Sequence, residues 1–253
     1  MTKTSEIKLV DATFAPGSNQ KEFLARNANH DSFFAKHKRR QRVFCCFLGD
    51  IFYDGLRPEA RANLFKLIAS TPNIDWLFLT GQIENADRLI TETGSLLSKT
   101  RPFDAGGCPH DKAEGMCNAW NNGFPPWNIW LGISITNQEE ADRDIPKLLE
   151  IPARVRFLFI EPMLGNINLM HHFQTRKPGD GGIHWVIAGG ESGPYSRPTH
   201  PDWFRSIRDQ CASAGVPFFF KGWGDGPTQR AGECAAGRHL DGRTHDEFPE
   251  DQK

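Results

Sequence analysis

The chain has 253 residues, of which 38% are hydrophobic and 24% are charged, and its 30 basic and 31 acidic side chains leave a net charge of −1. This composition is typical of a globular protein with a sizeable core, and it excludes a disordered chain. The balanced charge does not support nucleic acid as a partner, and it does not decide between nucleic acid and a small ligand.

Neither a membrane nor a secretory pathway is expected from the sequence. No apolar stretch approaches the roughly 20 residues that a membrane span needs. The first residues, MTKTSEIKLVD, lack the apolar segment of a signal peptide. Six cysteines lie at spacings that do not suggest a disulfide framework: Cys45, Cys46, Cys108, Cys117, Cys211 and Cys234. We therefore expect a cytoplasmic protein with reduced thiols.

Short apolar runs alternate with helical patterns in the N-terminal half. Strands are predicted at Ile7 to Phe14, Val43 to Leu48 and Trp76 to Leu79, and helices at Lys21 to Lys36, from Pro58 and from Ile83. Between the first helix and the second strand lies a basic run, Lys36 to Arg42 (KHKRRQR). Such a run is more typical of a solvated face than of a phosphate site.

Residues 100–127 interrupt this alternation. They are rich in Gly, Pro, Asn and Cys and have no clear periodicity, so we predict an insertion or long loop. Cys108, His110 and Cys117 are three possible zinc ligands, but their spacing matches no standard zinc finger. In a barrel, this loop would lie on the face opposite the ligand. The prediction is a loop without metal, with a structural metal site as the alternative.

The alternation resumes in the C-terminal half. Strands are predicted at Ile129 to Ile135, Val155 to Ile160, His184 to Ala188 and Val216 to Phe220, with a helix after Ile135 that Pro146 should kink or restart, and another from Pro201 to Gly215. About six alternations predict a single α/β domain over residues 1–253, with a mainly parallel sheet that is open or curled into a barrel. Residues 225–253 form a polar C-terminal tail.

Polar residues and glycines gather where the predicted strands end. Ligands of parallel α/β sheets bind beyond the carboxyl ends of the strands. The candidate catalytic residues are Glu161, Glu191 and Lys221, and the candidate cofactor-binding residues are Gly189, Gly190, Glu191, Ser192, Ser134, Asp50 and Thr80. Two carboxylates and a lysine in one cleft could bind a zwitterion such as an amino acid moiety, or carry acid–base chemistry. The glycines would let a ligand approach the backbone closely. The alternative is a set of tight turns with solvated charges.

Several stretches together resemble one known family. They are IKLVDATF, NIWLGISI with NQEEADRDIPKLLEIPA, VRFLFIEPMLG, HWVIAGGESGPYSRPTHPDWFRSIRDQCASAGVPFFFKGWG and LDGRTHDEFP. The family is the bacteriophage Gp-thirty-seven/Gp-sixty-eight family, which has a three-cysteine motif and is similar to radical S-adenosylmethionine enzymes. The resemblance is strong from Ile129 to Pro249 and weaker before that. It implies a partial (βα)6-type TIM-like barrel, and the residues that match it at the strand ends are Glu161, Glu191, Ser192 and Lys221.

The chain departs from this family at two strand ends. The family's three cysteines follow the first strand and would hold an iron–sulfur cluster with S-adenosylmethionine on its open iron, whereas Ala15 to Phe23 contains no cysteine. Ser, Asn and Gln are poor substitutes for cluster thiolates. The family also tends to have Thr-Lys-Arg-Pro where this chain has Thr80-Gly81-Gln82-Ile83. The resemblance therefore implies S-adenosylmethionine as the candidate cofactor, without an iron–sulfur cluster, and the vacant loop Ala15 to Gln20 as the rim of the cleft.

Two classes of function remain open. The first is a small-ligand-binding or catalytically degenerate relative that keeps the cleft. The second is a working enzyme, which is either radical with cluster ligands recruited from elsewhere or non-radical with acid–base chemistry by Glu161 and Glu191. Nucleotides or nucleic acid are conceivable substrates of such an enzyme. A phage gene product without activity is a third alternative.

Overall fold

The computed structural model describes residues 12–14 (backbone only), 18–45, 50–100, 107–174, 181–225 and 237–249. The chain has two compact units, which are treated separately below. The first lies within Met1–Trp130 and Pro152–Arg154, and the second within Leu131–Ile151 and Val155–Lys253. A single domain over residues 1–253 would require the two units to pack together, and it stays a prediction.

The first unit contains three parallel strands in chain order, β1-β2-β3. Its elements are β1 Ala12–Phe14, α1 Gln20–Ala28, α2 His30–His37, β2 Gln41–Cys45, α3 Pro58–Ser70, β3 Ile74–Thr80, a 3-10 turn Ile83–Asn85, α4 Ala86–Lys99 and α5 Pro109–Asn121. The single helix predicted over Lys21 to Lys36 is two helices that meet at Asn29. Helix α3 contributes Leu64, Phe65 and Ile68 to the buried core of this unit.

Helix α5 lies inside the segment that was predicted to be an insertion or long loop. Pro109 occupies its first turn, where a missing N–H costs no helical hydrogen bond. Ala113, Cys117 and Trp120 recur at helical spacing and are buried, and the Trp120 ring stacks on Phe65 at 6.4 Å between centroids. Because α5 packs against α3 and α4, residues 109–121 are not a loop. Whether residues 100–127 are an insertion stays a prediction.

The second unit contains the other four strands in chain order, β4-β5-β6-β7. Its elements are β4 Ile129–Ser134 (whose first two residues belong to the first unit), α6 Gln138–Glu150, β5 Val155–Ile160, α7 Met170–Gln174, β6 Trp185–Gly189, α8 Pro201–Ala214 and β7 Phe218–Gly222. β5 pairs with β6 and β6 with β7, both in parallel. Helix α6 continues through Pro146 without restarting, and α8 ends at Gly215, whose φ is 67°.

The C-terminal residues 237–249 pack on the second unit. Asp241 and Gly242, with φ of 53° and 80°, form a tight turn between Leu240 and Arg243. After this turn the chain runs antiparallel to β7: the Phe220 N–H donates to the His245 carbonyl at 2.9 Å. The segment predicted as a polar tail therefore contains a packed extension of the sheet.

The predicted fold class is confirmed. The pairings β1–β2 and β2–β3 in the first unit and β5–β6 and β6–β7 in the second are parallel, and strands follow one another in chain order with helices between them. This is the arrangement of a partial TIM-like barrel. Within the described residues, no helix combines the length and the apolar character that crossing a membrane requires.

Candidate functional site

Glu161 and Lys221 form an ion pair at the carboxyl ends of their strands. Glu161 directly follows β5, and Lys221 lies in the last two residues of β7. The Lys221 Nζ donates to Oε1 and Oε2 of Glu161 at 2.7 Å each. The Glu161 side chain is 13% exposed, whereas that of Lys221 is 46% exposed. Two of the candidate catalytic residues are therefore in direct contact, with a shielded carboxylate and an ammonium group that solvent reaches.

Two neighbours position this pair. Phe159 of β5 lies beneath the lysine, with its ring centroid 5.5 Å from Nζ, which is a favourable place for a cation. Gly189 ends β6, the strand between β5 and β7. A Cβ at Gly189 would lie 3.3 Å from the Lys221 Cβ and 3.4 Å from the Glu161 Cδ. A side chain there would be tight against Lys221 and would touch the Glu161 carboxyl group, so glycine leaves room for the pair.

Gly190 lies against the backbone of another segment, and its predicted role in ligand access stays a prediction. A Cβ at Gly190 would overlap the carbonyl of Trp223, and one at Gly224 would overlap the carbonyl of Glu191. Gly224 also has φ of 73°, which a side chain rarely adopts. Two backbone segments therefore pass at van der Waals distance here. They are further joined by the Asp225 N–H, which donates to the Glu191 carbonyl at 2.8 Å.

The Glu191 carboxylate is bound by Arg197. The Arg197 Nε and backbone N–H donate to Oε2 at 2.8 Å and 2.7 Å, and Nη2 donates to Oε1 at 2.7 Å. This arrangement is bidentate, the strongest geometry of an arginine–carboxylate pair. The side-chain hydrogen bonds from Arg197, followed by its backbone N–H, lower the pKa of Glu191 to about 2. Glu191 is therefore ionised near neutral pH, which does not suit a general acid.

We expect a direct titration to show this low pKa. The carboxyl carbon of Glu191, followed by NMR, should titrate near pH 2, and Arg197→Gln should return the midpoint toward 4.5, the ordinary value. Because the folded-state pKa is lowered, the pair's contribution to stability is present above pH 4.5 and is lost as the pH falls toward 2. A wild-type midpoint near the ordinary value would contradict the geometry.

The two predicted serines have different surroundings. Ser192 is exposed in the turn after Glu191, and the next residue, Gly193, donates its N–H to the Asp225 Oδ2 at 2.8 Å. Ser134 is half-buried at the end of β4.

Of the candidate residues in the second unit, Glu161, Gly189 and Lys221 lie together, whereas the Glu191 carboxylate is bound by Arg197.

Asp50 and Thr80 lie together in the first unit. The Thr80 hydroxyl and the Gly81 N–H donate to the Asp50 Oδ2 at 2.8 Å and 2.9 Å, and the Phe52 N–H donates to Oδ1 at 2.8 Å. This carboxylate therefore fixes the chain after β2 and β3. The prediction that these two residues border the same cleft as Glu161 stays a prediction.

Arg197 and Phe159 were not among the residues predicted for this site. Arg197 lies six residues after Glu191 in an irregular loop, so strand-end topology does not identify it. The available signal was charge, since Arg197 is the first basic residue after Glu191. Phe159 looked like an ordinary strand residue, and its role becomes visible only with Lys221 above its ring.

Cys117, Cys211 and His110 are buried side chains that are poorly placed to bind a metal. Cys117 is fully buried, and burial raises its pKa to about 12, while burial also raises the pKa of Cys211. His110 is buried, with Nε2 2.5 Å from the Leu97 carbonyl oxygen. No group of three or more His, Cys, Asp or Glu residues in the described ranges could hold a metal ion. Cys46, Cys234 and Ala15 to Gly17 of the vacant loop lie outside those ranges.

Comparison with known proteins identifies a family without adding a known activity. The family model described as "Protein of unknown function (DUF5131)" matches residues 4–249, nearly the whole chain. Neither the curated proteins nor the solved structures yield a match. Because the matched range far exceeds half of the sequence, the chain belongs to the DUF5131 family.

Proposed function

We propose that the protein binds a small zwitterionic ligand at the Glu161–Lys221 pair, and that the ligand is S-adenosylmethionine, held without an iron–sulfur cluster. The observation that carries the proposal is the ion pair itself, with Nζ 2.7 Å from both carboxylate oxygens at the carboxyl edge of the sheet. Ligands of parallel α/β sheets bind at this edge.

The pair is complementary to the amino acid end of such a ligand. An ammonium group has three donors, so Lys221 can donate to a ligand carboxylate while it keeps a hydrogen bond to Glu161. The carboxylate of Glu161 has further lone pairs that can accept from a ligand ammonium group. The 46% exposure of Lys221 leaves it accessible to a ligand.

S-adenosylmethionine fits this donor and acceptor set. Glu161 would hold its ammonium group and Lys221 its carboxylate. When bound, the molecule supplies an electrophilic sulfonium centre. Burial keeps the thiols of Cys117 and Cys211 protonated, which disfavours them as cluster ligands, and the sequence has no cysteine before Cys45.

Acid–base catalysis by Glu161 and Glu191 is a weaker candidate. Such a pair needs one carboxyl group that holds a proton near neutral pH. Arg197 lowers the pKa of Glu191 to about 2, and Glu161 is bound by Lys221. These contacts support ligand binding over acid–base chemistry.

Isothermal titration calorimetry on the full chain, with EDTA present, tests the proposal. We expect S-adenosylmethionine to bind, and Glu161→Gln and Lys221→Gln each to weaken binding about tenfold or more, because each removes a charge-assisted hydrogen bond to the ligand. Decarboxylated S-adenosylmethionine should bind wild type more weakly than the parent compound does. The two compounds should bind the Lys221→Gln variant with equal affinity, because this variant lacks the ammonium group that would contact the ligand carboxylate.

Glu22→Gln is the matched control. It breaks a surface ion pair with Arg26 of 2.8 Å in the first unit and should leave affinity unchanged. The proposal is wrong if S-adenosylmethionine does not bind wild type, or if the Glu161 and Lys221 variants bind it as tightly as the control does.

A further inference from the structure

The first unit carries a surface where cations and aromatic rings alternate. We call it the aromatic–basic surface and define it by Phe33, Lys36, Lys38, Arg39, Arg40 and Trp127. It coincides with the basic run that the sequence suggested was a solvated face. That expectation holds only for the first part of the run, since Lys36 and Lys38 are exposed, Arg39 and Arg40 are half-buried, and Arg42 is buried.

The end of α2 creates one half of this surface. Lys38 caps the helix in the left-handed conformation, with φ of 55°, so the chain turns back over the last helical turn. That turn brings the Arg39 guanidinium to 5.2 Å from the Phe33 ring centroid. On the same helix, His37 stacks on Phe33 with centroids 4.3 Å apart. The Phe33 ring, the His37 imidazole and the Arg39 guanidinium are therefore fixed side by side.

Arg40 and Trp127 form the other half. The Arg40 guanidinium lies 3.7 Å from the centroid of the Trp127 ring, and its Nη1 donates to Asp75 at 3.2 Å. Although Arg40 covers one face of the indole, Trp127 remains 42% exposed. In the same loop, Phe124 is 72% exposed. Large aromatic side chains are rarely left so accessible without a partner.

The local charge is positive although the whole chain is nearly neutral. The basic run over residues 36–42 contains five Lys and Arg side chains and no acid. Among the described residues, Asp31 is exposed in the first turn of α2, and Asp75 is paired with Arg40. The run itself therefore carries an excess of positive charge. An apolar partner would not match this charge, whereas a polyanion with flat rings would.

We propose that the aromatic–basic surface binds single-stranded nucleic acid. Lys36, Lys38 and Arg39 would contact phosphates, and an unpaired base would stack on the exposed indole of Trp127. Proteins that bind single strands combine these same two elements, a basic track and exposed aromatic rings. Duplex bases are already stacked and cannot use the rings, so single strands should be preferred. This inference involves the first unit alone and does not depend on the zwitterion site.

Fluorescence anisotropy with a labelled single-stranded oligonucleotide, as DNA and as RNA, tests the inference on the full chain. Wild type should bind either form more tightly than the duplex of the same sequence. The plot of log affinity against log salt should have a slope of about −2, as three phosphate contacts predict. Equal affinity for duplex and single strand would show that unpaired bases do not stack on the aromatic rings of this surface.

Charge and stacking can be separated with variants. Lys36→Glu with Lys38→Glu should weaken binding at least tenfold. Lys99→Glu with Lys112→Glu makes the same charge change at exposed positions of α4 and α5, and it should have little effect. Trp127→Ala should weaken binding about tenfold while Trp127→Phe retains most of it. Circular dichroism establishes that each variant is folded.

Three results would overturn the inference. One is equal loss of binding in the two lysine pairs, which would indicate unspecific charge attraction. Another is unchanged binding in Trp127→Ala. The third is that heparin or anionic phosphatidylserine vesicles bind as tightly as the oligonucleotide and with the same variant pattern, which would assign the surface to polyanions or membranes in general.

Discussion

Gly190→Ala should destabilise the protein by about 3 kcal/mol, measured as the free energy of unfolding in urea. The added methyl group would overlap the carbonyl oxygen of Trp223, and both groups belong to backbone that cannot rotate away. Relief would require the strand end after β6 to separate from the segment after β7. That separation would also stretch the hydrogen bond from the Gly190 N–H to the Gly222 carbonyl, now 3.0 Å.

Gly165→Ala is the matched control for this substitution. It lies in the same unit, and a Cβ there would meet no atom within 4 Å. We expect it to change the unfolding free energy by about 0.5 kcal/mol or less. If both variants are equally stable, the two segments are not in the close contact described above.

Arg156→Met should also cost about 3 kcal/mol of unfolding free energy. Arg156 is buried in β5 and donates to three backbone carbonyls, those of Leu148, Ile151 and Gly181, at 3.2, 2.7 and 2.7 Å. Methionine fills similar space but has no donor, so these carbonyls would lose their hydrogen bonds inside the protein. Chemical denaturation monitored by tryptophan fluorescence measures the loss.

The control for this charge change is Arg243→Met. Arg243 is exposed in the turn after Leu240, in the same unit as Arg156. Its replacement should lower the unfolding free energy by less than about 1 kcal/mol. Equal effects of the two substitutions would mean that the carbonyls around Arg156 find other donors, and the proposed role of the buried guanidinium would be wrong.

The location of Glu161 and Lys221 at one edge of the sheet could be predicted from the sequence because it depends on topology, whereas their direct contact was not predicted. Strongly apolar runs precede both residues, and parallel strands end on one side of a sheet. The role of the neighbouring glycines could not be predicted in the same way. Whether a missing side chain makes room for a ligand or for the chain itself depends on where Trp223 passes, and no local pattern encodes that.

The partner of Glu191 depended on the conformation of an irregular loop. Ser196 donates its N–H to the Gly193 carbonyl at 3.3 Å, and this turn brings Arg197 back to the carboxylate. Loop conformations of this kind follow from several weak contacts, including the distant Asp225. Glu191 could therefore be predicted as a candidate site residue, whereas its ion pair with Arg197 could not.

Helix α5 shows how a real helical signal can be hidden. Ala113, Cys117 and Trp120 have the spacing of a buried face, but that face is short, and the exposed Gly115 lies in the middle of the helix. Glycine and asparagine lower helix propensity, so the segment resembles a loop when it is judged by composition. Packing against α3 and α4 supplies the stabilisation that the local sequence lacks.

The antiparallel extension of residues 237–249 has a consequence during synthesis. β7 is the last strand in the order of the sheet, and its outer backbone groups pair with this extension, as in the 3.3 Å hydrogen bond from the Glu247 N–H to the Phe218 carbonyl. β7 leaves the ribosome before these residues do. Until they arrive, an apolar strand with unpaired backbone groups is a template for aggregation with other nascent chains. The polar C-terminal segment thus acts as a late cover for the β7 edge of the second unit.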